Sequence, residues 1–79
     1  MPTLPDDDDW LLAEQRAIGD RIRVTRLRQN RTQESVFLAA RISRSTYQAI
    51  EAGTVDVRIG TLRKVAWVLG VHVTDLLHG

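Results

Sequence analysis

The chain has no cysteine in its 79 residues. That excludes a disulfide framework and any thiolate metal site, and it agrees with a reducing compartment without requiring one. No apolar run approaches the roughly 18 residues needed to span a bilayer. The segment Met1 to Asp9 is acidic and lacks a basic stretch followed by an apolar one, so it does not read as a secretory signal. A soluble, unexported, cytoplasmic protein with no membrane partner is expected. His72 and His78 have no Cys, His or carboxylate at metal-ligand spacing. Ser43, Ser45 and Thr46 have no His-plus-carboxylate set near them, and no glycine-rich loop is present to cradle a phosphate. The expectation is no catalytic site, no metal and no cofactor.

What is present fits one small domain with a thin core, at 43% hydrophobic content. The net charge of +1 hides an asymmetry. Asp6, Asp7, Asp8 and Asp9 form one run. From Trp10 onward, eleven basic side chains face six acidic ones. Between Arg16 and Arg44, eight arginines face only Asp20 and Glu34. Such a block is what a phosphate-binding surface needs, and equally what a solvated helix face carries. The basic residues include a single lysine. Arginine favours two-pronged contacts to phosphate and guanine over simple solubility.

Residues 1–9, with Pro2 and Pro5, read as an acidic, flexible tail whose aspartates cap the following helix. Residues 10–79 read as the folded domain. Trp10 to Gln29 has helical composition, with Gly19 as a weak point worth about 1 kcal/mol against alanine and Asn30 as a left-handed stop. Thr32 is an N-cap for a second helix over Gln33 to Ala40. Arg41 and Ile42 connect it to Ser43, which caps a third helix from Arg44 to Ala52, ended by Gly53. A fourth helix over Ile59 to Leu69 follows from the spacing of Ile59, Leu62, Val65, Ala66 and Leu69, and Gly70 stops it. A last turn covers Val73 to Leu77. No strand pattern survives, so the fold class is all-α with five short helices. Trp67 and Tyr47 are expected in the core. Trp10, Leu11 and Leu12 either pack back as an extra turn or serve a dimer contact, and Leu38 is expected on the outer side of the second helix.

At about 100° per residue, Arg44, Ser45, Gln48 and Ala49 fall within one arc of the third helix of about 140°. Thr46, Tyr47 and Ile50 fall opposite. The polar arc is richest at the helix N-terminus, where a helix-turn-helix meets base edges. Arginine suits guanine O6 and N7, and glutamine suits adenine N6 and N7.

The sequence from about Ile18 to Leu77 resembles the lambda-repressor-like, Cro/C1-type (XRE) family of bacterial helix-turn-helix proteins. The resemblance rests on Ile18-Gly19, Arg21-Ile22-Arg23 and Arg26, then on Thr32-Gln33-Glu34. It continues through Ile42-Ser43-Arg44-Ser45-Thr46, Ile50-Glu51, Gly53, Leu62, Ala66 and Leu69-Gly70-Val71. It implies a five-helix domain whose helices 2 and 3 form the motif, binding double-stranded DNA in the nucleoid. It implies base reading by Arg44, Ser45, Gln48 and Ala49. It implies that Gln33 touches phosphate and braces the recognition helix, with Ser43 and Arg58 near the backbone, and that Arg26 and Glu51 form an internal ion pair. Arg23 is a further candidate phosphate contact. Three residues depart from the family pattern. Arg41 replaces the usual turn glycine, adding a phosphate candidate at a cost of order 1 kcal/mol if left-handed. Phe37 replaces a small residue where two helices cross, so wider packing is expected there. Arg58 replaces a Ser/Thr cap.

A single domain with few base contacts binds weakly, so a homodimer on a palindrome is expected, through Val71, Val73, Leu76 and Leu77. No second domain is expected, and repression by occlusion is the simplest action. Two rivals stand beside this: an antitoxin-like adaptor working through a protein partner, and an architectural DNA binder without sequence preference.

Overall fold

The computed structural model describes all 79 residues as five helices and no strand: α1 (Asp9–Arg28), α2 (Gln33–Ala40), α3 (Arg44–Ala52), α4 (Ile59–Leu69) and α5 (Val73–Leu77). Four of the five helices have a side chain bonded to the backbone at their start. The Thr32 hydroxyl accepts the Ser35 N–H at 3.0 Å, and the Ser43 hydroxyl accepts the Thr46 N–H at 3.1 Å. Each relieves one of the unpaired donors of a helix start. At α1 the side chain of the capping residue, Asp8, makes no such bond; Asp7 accepts the Asp9 N–H instead. At α5, Asp75 accepts the N–H of His72 at 3.1 Å.

The ends of α1 to α4 share one device. Asn30, Arg41, Gly53 and Gly70 are left-handed, with φ between 55° and 72°. After each, the chain turns back so that two N–H groups reach carbonyls of the last turn. In α3 these are Gly53 to Ile50 and Thr54 to Ala49, both at 3.1 Å. Carbonyls still open are reached by side chains of α1 and the residues just after it. Gln29 donates to Leu69 O at 2.7 Å, Arg31 to Val68 O at 2.7 Å and Arg21 to Leu76 O at 3.1 Å.

Ile22, Val36, Phe37, Tyr47, Ile50, Leu62, Val65, Ala66, Leu69 and Leu76 form the core. Leu76 is 1% exposed, which removes it from the residues expected at a dimer contact. A five-residue helix has room for one inward side chain, and α5 spends it on Leu76. Trp67 corrects the opposite way: it is 87% exposed. It sits about 150° around α4 from the centre of the arc shared by Leu62, Val65, Ala66 and Leu69. Leu38 is exposed, Trp10 and Leu12 are partly so, and Leu11 is half-buried in the first turns of α1.

Gly19 is no weak point. A Cβ there would lie 2.6 Å from the Glu51 carbonyl oxygen and closer still to that of Ile50. The missing side chain lets α1 rest directly on the α3 backbone. Gly53 does the same against Arg16, where a Cβ would lie 2.6 Å from Arg16 Cα. Both contacts fix α3 on α1.

Candidate nucleic-acid interface

The inner side of α3 is anchored by Tyr47, Ile50 and Glu51, all buried. Thr46 does not join them: it is exposed and its hydroxyl pairs with that of Ser43 at 2.8 Å. The outer side carries Arg44, Ser45 and Gln48 exposed and Ala49 half-buried. Burial on one side of a helix leaves the other side as a rigid row of polar side chains, which is what reading base edges requires.

The anchor is electrostatic as well as apolar. Arg26 donates to both oxygens of Glu51, from Nε at 2.8 Å and from Nη2 at 3.1 Å. Tyr47 donates its hydroxyl to Oε2, and Gln33 donates to Oε1 at 3.2 Å. Burial alone raises the Glu51 pKa, but the bonds from Arg26, Tyr47 and Gln33 outweigh it and hold the carboxyl below its ordinary range. The bond to Glu51, against a smaller effect of burial, raises the Arg26 pKa. Burial and the bond to Glu51 raise that of Tyr47. One buried anion thus ties α1, α2 and α3 together, and Gln33 ends at the interface edge with its oxygen 3.5 Å from Gln48 Nε2.

The basic block divides when seen in three dimensions. Arg21, Arg26 and Arg31 bond to carbonyls or to Glu51 inside the fold. Arg23 pairs with Asp20 at 2.8 Å and Arg44 with Glu34 at 3.1 Å, both at the surface. Arg41 is exposed in the turn between α2 and α3 with φ of 59°. Arg58 is exposed and extended ahead of α4, with no side-chain cap. Ser43 spends its hydroxyl on the cap of α3, leaving its N-terminal position at the edge of the row.

Glu34 and Phe37 are neighbours of Arg44 that the helical wheel of α3 leaves out, since both lie on α2. The signal for them is the turn itself, which brings two helix starts together across ten residues. Phe37 is accommodated where a small residue is usual by tilting against Tyr47, with ring centres 6.2 Å apart.

Residues 22–76 match the model of the helix-turn-helix family. The chain belongs to the Cro/C1-type helix-turn-helix family. It is accordingly a DNA-binding transcription regulator. Its fold is similar to that of the restriction-modification controller protein C.AhdI from Aeromonas hydrophila, with a TM-score of 0.78 and 25% identity over 81% of this chain and 97% of that one. No curated protein matches the chain. No helix of this family member is long and apolar enough to cross a membrane.

Proposed function

We propose that this regulator binds palindromic DNA as a homodimer and represses by occluding the promoter, acting in the cytoplasm on the nucleoid. The observation that carries the reading is the row of Arg44, Ser45 and Gln48 on the outer face of an anchored α3, with Ala49 beside it. Arg44 takes a guanine, Gln48 an adenine, and Ala49 offers its methyl to thymine. Arg23, Gln33, Arg41, Ser43 and Arg58 serve the phosphates and set the register. Asp20 releases Arg23 at little cost, because exposed ion pairs are weak, and Glu34 shares Arg44 with the base.

The second copy docks at the C-terminal end of α4 and the turn into α5. A shallow groove of about 280 Å³ runs between Arg63, Ala66, Trp67, Val71, His72 and Val73. It joins two of the residues named for dimerisation, Val71 and Val73, to the exposed Trp67. An exposed tryptophan next to half-buried valines supports a surface meant to be covered. The same exposure favours a second reading, an adaptor whose protein partner covers Trp67 and Leu38.

Selection of bound sequences from random DNA tests the first reading. A palindrome with half-sites about 34 Å apart, or a multiple of that, is expected. Arg44→Ala should cost about 1–3 kcal/mol and relax one base pair per half-site. Equal weakening on every sequence would instead place Arg44 on the phosphates. Affinity should fall steeply with salt as counterions are released; an adaptor whose main binding is to a protein would show no such slope.

A further inference from the structure

Two side chains of α2 hold Arg44. Its Nη2 donates to Glu34 Oε2 at 3.1 Å, and its Cζ lies 5.3 Å from the centre of the Phe37 ring. Phe37 is 5% exposed, so the core fixes its ring and the ring offers a rigid face. The Arg44 and Glu34 side chains are 63% and 61% exposed, so their pairing is open to water and to DNA.

A carboxylate at the edge of a DNA-reading surface is costly, because phosphates repel it. Here it has a compensating use. A guanidinium carries five N–H donors in a plane. One bond to Glu34 leaves four, enough for a two-donor contact to O6 and N7 of guanine. Without Glu34, the nearest strong acceptors for Arg44 would be phosphates, whose contacts carry no sequence information.

We propose that Glu34 and Phe37 are specificity-determining positioning residues, holding the Arg44 guanidinium off the backbone and aimed at one guanine per half-site. The inference rests on Arg44 as a base reader. It predicts opposite signs from one substitution. Glu34→Gln removes a negative charge, so binding to mixed-sequence DNA should tighten. It also frees Arg44 to reach phosphate, so the preference for guanine should fall, by about three- to tenfold.

The experiment measures affinity for the selected site and for the same site with one base pair replaced, the pair at which Arg44→Ala relaxes selection. Wild type, Arg44→Ala, Glu34→Gln and Phe37→Leu are compared. Phe37→Leu should lower the guanine preference with net charge unchanged. Because Phe37 is core, Glu34→Gln at the surface decides the matter if Phe37→Leu unfolds. Equal tightening on both DNAs by Glu34→Gln overturns the inference, since Glu34 would then only repel. If Arg44→Ala relaxes no base pair, the base-reading assignment fails and this inference with it. If Arg44→Ala relaxes one and Glu34→Gln does not, the positioning role alone falls.

Discussion

Glu51 accepts hydrogen bonds from Arg26, Tyr47 and Gln33 while its residue surface is only 9% exposed. Its carboxyl is held below the ordinary value of 4.5 that it regains on unfolding. The unfolded chain therefore binds a proton first as pH falls. The stabilisation is complete above about pH 4.5 and is lost as pH drops through the lower folded value. Urea titrations at neutral pH and at about pH 3 should show this loss. Glu51→Gln should cost about 3 kcal/mol or more at neutral pH, by leaving Arg26 buried without its anion, and should flatten the acid response. A wild-type stability curve level through this range would refute the account. Arg26 and Glu51 are legible in the sequence through the family resemblance. Gln33 and Tyr47 as their partners are not, because nothing in a linear chain says that four side chains from three helices meet.

At the scale of elements, the helices are read from their own residues. Thr32 and Ser43 at the starts, and Asn30, Gly53 and Gly70 at the ends, act within four or five residues of where they stand. Arg41 takes the same left-handed turn without a glycine's freedom, at a cost of about 1 kcal/mol. Gly19 is different, since propensity marks it as a fault in α1 and packing makes it the seat of α3. Gly19→Ala should improve α1 as an isolated helix yet destabilise the protein by about 1–3 kcal/mol, because a Cβ would press on two α3 carbonyls. Chemical denaturation measures this, and an unchanged or raised midpoint would show that α1 and α3 can separate freely. Trp67 shows two sequence signals in conflict: its angle on α4 points outward while its size argues for the core, and the angle prevails.

For the whole molecule, a body of 41 × 23 × 20 Å, charge and apolar surface adjoin: Trp67 lines one hollow with Arg41, Arg63 and Lys64. Three of eight arginines in the basic block close the fold rather than face a ligand. Counting charges therefore overstates the phosphate surface, because arginine serves carbonyl oxygens as readily as phosphates. The exposed Trp67 gives the proposed homodimer a test that does not involve DNA. Trp67→Ala should weaken self-association by about tenfold or more in sedimentation equilibrium and leave the unfolding transition nearly unmoved. An unchanged association constant would move the dimer contact elsewhere.

The sequence by itself determined five helices, their bounds to within a residue, the caps at Thr32 and Ser43 and the polar arc of α3. These follow from contacts between near neighbours, which a linear chain displays. The tertiary structure alone decided that Gly19 is a contact, that Leu76 faces in, and that Arg44 rests on Phe37 beside Glu34. Each of those depends on which helix lies against which, and packing sets that through side chains far apart in the chain.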